Sequence, residues 1–214
     1  MNAVLEFLGL AIYVLQALSA LFGVFMGVLM VRKIAQRRMS RGQGEGFLDE
    51  VQNLLGKKDF DGVAELCDSP PYWSKAVPQL VLVAMANRQL GPTKLHGLMS
   101  EKFERDVLSE LAYQQSWITT VIKSAPMLGL MGTVEGMILA FAKIATASQS
   151  GGINPADLAN DISFALLTTL YGLAIAVPLT VLSNWVQVRI GKMTDEVQEQ
   201  TTEFLSDLTN AMKH

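Results

Sequence analysis

The chain has 214 residues, 50% of them hydrophobic and 17% charged, with a formal net charge of −3. Soluble domains carry about a quarter charged residues, and a slightly acidic chain offers no basic footprint for nucleic acid. Cys67 is the only cysteine, and His96 and His214 stand far apart, which excludes an intrachain disulfide and a thiolate metal cluster.

The charge deficit is concentrated in three blocks. Residues 7–31 (FLGLAIYVLQALSALFGVFMGVLMV) and 162–186 (ISFALLTTLYGLAIAVPLTVLSNWV) contain no charge, and residues 124–142 contain only Glu135. About 20 apolar residues cross the hydrocarbon core of a bilayer, so each block reads as a membrane span. Buried helices of a soluble bundle would keep a polar face, and these have none. The first block is expected to be an uncleaved span rather than a signal peptide: no Lys or Arg precedes it, and its apolar run is too long.

Arg32, Lys33, Arg37, Arg38 and Arg41 follow the first block, Lys123 precedes the main apolar run of the second, and Arg189 and Lys192 follow the third. The connection TASQSGGINPADLAND has no Lys or Arg. By the positive-inside rule, the N-terminus faces out, while residues 32–115 and the C-terminal tail face the cytoplasm. Within the cytoplasmic insert, GFLDEVQNLLGKKDFDGVAELCD predicts short helices broken at Gly56 and at SPP. A helix is expected from Thr93, a cap behind Pro92, with Leu95, Met99, Phe103, Val107 and Leu111 as its apolar stripe. No turn signal interrupts it before Pro126, so one helix is expected to rise from the cytoplasm into the second span. Beyond the third span, Ile190, Met193, Val197, Thr201, Phe204 and Leu208 form a stripe that needs a partner helix, most simply the same helix of another subunit.

The expected fold is an all-α integral membrane protein, a homo-oligomeric bundle with long cytoplasmic extensions of spans two and three. Its segments are an outer N-terminus with span one (1–31), a cytoplasmic helical insert (32–115), span two (116–146), a short external loop (147–160), span three (161–188) and a cytoplasmic C-terminal helix (189–214). GLMGTVEG lacks the Gly-Lys-Ser/Thr ending of a phosphate-binding loop, and there is neither an HExxH nor a serine elbow, so no enzyme is expected.

Two stripes of small residues mark the second and third spans. Gly129, Thr133, Gly136 and Ala140 share one face of the second; Asp161, Ala165, Thr169, Gly172 and Ala176 share one face of the third. Close helix packing in lipid favours such residues. The alternative is a narrow pore walled by Gly129, Gly136, Ala140, Ala165, Gly172 and Ala176, with Thr133 and Thr169 as its polar points. Asp161 would then concentrate cations at the outer mouth, or it serves only the helix N-terminus. Glu135 lies two residues from Thr133, about 200° round the helix and away from the pore stripe. A bare carboxylate in the bilayer costs several kcal/mol (roughly). Glu135 is therefore expected as a protonated interhelical clamp to Gln16 and Ser19 of the first span, with Tyr171 near the same level; an auxiliary proton relay is the other reading.

APMLGLMGTVEGMILAF, the short Gly/Asn/Pro-containing loop and DISFALLTTLYGLAIAVPLTVLSN together resemble the signature of the MotA/TolQ/ExbB proton-channel family. Three spans rather than four place the resemblance on the ExbB/TolQ-like side. It implies a homopentamer in the bacterial inner membrane surrounding two copies of a single-span ExbD/TolR-like partner. Proton-motive force, or sodium in its place, would turn one against the other to energise an envelope or transport process. No cofactor is implied beyond the transported ion, H+ or Na+. Thr133 and Thr169 carry over as the pore threonines, and Pro126 and Pro178 as helix-shaping prolines. Phe164 departs from the pattern, standing where several ExbB-like chains have a glutamate, and Glu135 is an addition. The rival class is a non-conducting membrane scaffold built on the same packing.

Overall fold

The computed structural model describes residues 2–150 and 155–213, and every described element is helical. The helices are α1 (Asn2–Arg37), α2 (Arg41–Gly56), α3 (Phe60–Asp68), α4 (Ala76–Ala86), α5 (Pro92–Phe103), α6 (Ser109–Ser150) and α7 (Pro155–Lys213), with a π-helical turn at Glu104–Leu108 joining α5 to α6. Three of them, α1, α6 and α7, are long and apolar enough to cross a membrane. The fold class is the all-α membrane protein that the charge-free blocks predict. Part of the loop expected over 147–160, residues 151–154, lies outside the described residues.

The chain divides into two compact units. The first, Met1–Val28 with Gln115–Asn184, holds the apolar parts of α1, α6 and α7. In it α6 and α7 run antiparallel, tied near one end by Gln115 donating to Ser183 and near the other by an ion pair between Lys143 and Asp161. α1 lies against both: Gly23 approaches Leu179 and Val121, and Phe22 meets Trp117 edge-on at 5.9 Å. Outside these contacts the unit is covered with apolar side chains. Leu10, Leu21, Phe25, Met127, Leu130, Phe141, Leu166 and Val181 are all exposed, a surface that only lipid or other protein can cover.

The second unit, Leu29–Gln114 with Trp185–His214, has an ordinary core of Phe47, Val51, Leu55, Val63, Leu80, Val81, Met99 and Phe204. Its short helices start and stop where local chemistry dictates. Ser40 and Gln43 form a reciprocal capping box at the start of α2, and Asp59 accepts from the Gly62 N–H to cap α3. The cap of α5 lies two residues earlier than expected, at Gly91 instead of Thr93, with Pro92 in its first turn. This suits proline, whose missing N–H is unneeded there.

Two further expectations change in this unit. Met193, Val197, Thr201, Phe204 and Leu208 are already buried within the single chain. A Cβ on Gly44 of α2 would strike Gln200, and Gln52 of α2 meets Asp207 at 3.5 Å. The partner of the C-terminal stripe is thus the chain's own α2, rather than another subunit; an amphipathic pattern of about five turns says that a partner exists, not which one. The helical path from Pro92 to Ser150 is not one regular helix either. Residues spaced by four would drift about 160° round an α-helix between Leu95 and Leu111. The π turn absorbs about 100° of that surplus, one residue's worth, and Leu95, Met99, Phe103, Val107 and Leu111 all stay buried.

Candidate functional site

The glycines of the two stripes lie in the seam between α6 and α7. A Cβ on Gly129 would fall 2.8 Å from the Thr168 carbonyl oxygen and from the Thr169 Cα. One on Gly172 would come 2.6 Å from the Ala125 carbonyl oxygen, and one on Gly136 3.2 Å from the Asp161 carbonyl oxygen. Ala165 sits against Gly136, and Ala140, Ala165 and Ala176 are buried. Backbone meeting backbone at this range leaves no passage along the seam. The residues expected to wall a pore close-pack two helices of one chain, as small residues do in lipid. Pro126 and Pro178 stand inside uninterrupted helices, and Pro126 meets Gly172 at the seam.

The threonines divide differently from the glycines. Thr133 is half-buried and donates to the Leu130 carbonyl of its own helix at 2.7 Å. Thr169 is half-buried, but its hydroxyl oxygen is buried with no hydrogen-bond partner among the described residues. The adjacent Thr168, which the stripe pattern passes over, is fully engaged. Its hydroxyl shares one proton between the Gly129 carbonyl at 3.0 Å and the Ala165 carbonyl at 2.7 Å, and its own carbonyl accepts from Gln16 Nε2 at 2.8 Å. Thr168 thereby joins all three spans. The sequence signal for it was a second hydroxyl beside Thr169, turned one residue toward the glycine face of α6.

Glu135 is buried and faces α1, as the helical angle from Thr133 requires. Its neighbour there is the Gly9 backbone: a Cβ on Gly9 would come 2.8 Å from Glu135 Oε1. Gln16 instead reaches Thr168, and Ser19 donates to the Gln16 carbonyl on its own helix. Gly9 lies about two turns along α1 from the expected Gln16. The packed part of α6 in fact begins before Lys123, with Trp117, Ile118 and Val121. Tyr171 meets α1, edge-on to Tyr13 at 6.2 Å, and Tyr13 donates to the Phe164 carbonyl at 3.1 Å.

Glu135 also lines a cavity of about 380 Å³ between the three helices, together with Gly9, Tyr13, Asp161, Phe164 and Thr168. Asp161 is not an isolated mouth acid: Lys143 Nζ lies 2.6 Å from its Oδ2. Lys143 is the site residue that sequence reasoning overlooked. Its signal was a cation just beyond the second span, opposite an acid just inside the third, across a short connection.

The family comparison falls on these helices. Residues 74–199, more than half of the chain, match the model of the MotA/TolQ/ExbB proton channel family. The chain belongs to that family. Among curated relatives it is similar to an ExbB homolog of Methanothermobacter thermautotrophicus, 27% identical over 92% of this chain and 66% of the relative. Biopolymer transport protein ExbB of Aquifex aeolicus is 34% identical over 39% of this chain and 55% of the relative. Biopolymer transport protein exbB1 of Vibrio cholerae is 27% identical over 78% of this chain and 73% of its own length. The chain thus spans less than two thirds of the first two relatives. For a MotA/TolQ/ExbB member, the matched stretch includes the whole α6–α7 seam, Thr133, Thr169, Glu135 and the Lys143–Asp161 pair. The family is described as a channel, a membrane function rather than an enzymatic one.

Proposed function

We propose that this chain is the ion-conducting, torque-generating subunit of an ExbB/TolQ-like inner-membrane motor, driven by the proton-motive force or by sodium. It energises a transport or envelope process through a single-span ExbD/TolR-like partner, two copies of which stand inside a pentamer of this chain. The N-terminus faces out and the second unit faces the cytoplasm. The observation that carries the reading is the Thr169 hydroxyl, buried at the edge of the seam with no partner among the described residues. A hydroxyl kept in a membrane span without a bond is costly unless something else supplies one. Because the α6–α7 seam is closed, the ion path runs outside it, between subunits and partner, with Thr133 and Thr169 at its wall and Asp161 toward its outer end.

The test is proton and sodium flux into proteoliposomes holding the chain together with a single-span, Asp-bearing partner. Flux that needs both proteins and is abolished by Thr133→Val with Thr169→Val supports the motor subunit. Full flux in the double variant removes Thr133 and Thr169 from the ion path, and no flux in any condition beside normal assembly leaves the non-conducting scaffold. Orientation is read from cysteines introduced at Gln43 and Gly151: an impermeant thiol reagent added outside should reach only the second.

A further inference from the structure

In the second unit a cavity of about 480 Å³ opens beside the residues where two apolar stretches end, Val31 on α1 and Trp185 on α7. Its wall combines apolar groups, Val31, Ile34 and the Trp185 ring, with the cations Arg38, Lys75 and Arg189. The three cations are not equivalent. Arg38 is committed to Glu196, with contacts of 2.8 and 2.5 Å. Lys75 Nζ bonds only the Arg38 carbonyl, at 2.8 Å, and Arg189 stacks on Trp185 with its guanidinium carbon 4.8 Å from the ring. Neither Lys75 nor Arg189 has a carboxylate partner among the described residues.

We propose that this cavity binds the headgroup of an anionic phospholipid, its phosphodiester held between Arg189 and Lys75 and its first methylenes against Val31, Ile34 and Trp185. The size suits a headgroup: small-molecule sites run from about 300 to 1,000 Å³. A guanidinium offers a planar fork to two phosphate oxygens, and stacking on an indole holds that fork in place while leaving its N–H edge free. The mixed lining matches a lipid better than a free anion, since a soluble phosphate has no use for the aliphatic groups. Basic pockets beside membrane helices collect anionic headgroups for these reasons. A choline headgroup is disfavoured, because it brings a cation toward two unpaired cations and finds the indole face already occupied. The site is independent of the ion path and stands whichever ion crosses the membrane.

The experiment is native mass spectrometry of the full chain in mild detergent, titrated with dioleoylphosphatidylglycerol, dioleoylphosphatidylcholine or inorganic phosphate. Phosphatidylglycerol should be retained about tenfold better than phosphatidylcholine, and millimolar phosphate should not displace it. Lys75→Gln with Arg189→Gln should lower phosphatidylglycerol to the phosphatidylcholine level, while Arg189→Lys keeps part of the preference. Should the double variant fail to fold, Arg189→Gln alone, at an exposed side chain, should still cost several-fold in retention. Equal retention of the two lipids, or a preference untouched by the variants, overturns the site. Displacement by phosphate that itself binds as tightly overturns the lipid and leaves a soluble phosphorylated ligand.

Discussion

Gly172 of α7 lies so close to Ala125 of α6 that a side-chain carbon would come within 2.6 Å of the Ala125 carbonyl oxygen. The obstacle is backbone inside a helix, which has no rotamer to move. Gly172→Val should therefore force the helices apart and lower stability by about 1–3 kcal/mol, the usual cost of overpacking. Gly191, on the same helix, has open space where a Cβ would go. There Gly191→Ala should raise stability by about 0.5–1 kcal/mol through helix propensity alone. Thermal melts of the two variants in detergent should move in opposite directions.

Thr168 and Thr169 are neighbours with opposite expected behaviour. Thr168→Val removes a buried hydroxyl that bonds across the seam, and should lower stability by about 0.6 kcal/mol, up to about 1.7. Thr169→Val removes a hydroxyl that has no partner among the described residues. It should leave the melt unchanged or slightly higher, yet suppress ion flux with the partner present. Stability and flux measured on both variants separate the packing residue from the path residue. A flux loss confined to Thr168→Val would reverse the assignment.

Glu135 is expected to act as a neutral clamp on α1, through the close approach of Gly9. Glu135→Gln keeps a donor and an acceptor but has no proton to release, so assembly and flux should both stay near normal. Glu135→Leu should weaken the hold on α1 by about 1 kcal/mol, visible as a lower melting temperature. A Glu135→Gln variant that assembles but conducts nothing would make this carboxyl a proton carrier.

Cys67 is fully buried in the second unit, and burial pushes its thiol up from 9.0 to about 12. The unfolded chain thus loses the thiol proton first as pH rises, and the folded chain keeps it. Between pH 9 and about 12 the unfolded state binds fewer protons, so this group's contribution to stability falls with rising pH and is complete below pH 9. At pH 8 the native protein should show no reaction with a disulfide-exchange reagent, and one thiol should appear on denaturation. Rapid labelling of the native chain would mean that the second unit opens readily.

The parts legible in the sequence were those set by composition along one helix. Charge-free length announced three spans, Gly56 and the SPP run marked real breaks, and the stripe from Leu95 to Leu111 is buried throughout. The 3.6-residue period also placed Glu135 on a different face from Thr133. What failed was register between helices. The offset of α1 against α6 depends on where packing begins, and Trp117 with Phe22 begins it earlier than the apolar blocks suggest. The same gap hid α2 as the partner of the C-terminal stripe and Lys143 as the partner of Asp161. A stripe reports that a face is covered, whereas the covering element is chosen by the whole fold.

The π turn at Glu104–Leu108 has a consequence for chain length. Removing one of Glu104, Arg105 or Asp106 would shorten the step from Phe103 to Val107 from four residues to three. The stripe would then run four, four, three, four, with a total drift of about 60° instead of about 160°, and a regular α-helix could bury it. This stretch is a place where the protein can lose a residue without losing a face. Relatives with a plain α-helix here should be one residue shorter at this point, and their alignment with this chain should open a single gap between Phe103 and Val107.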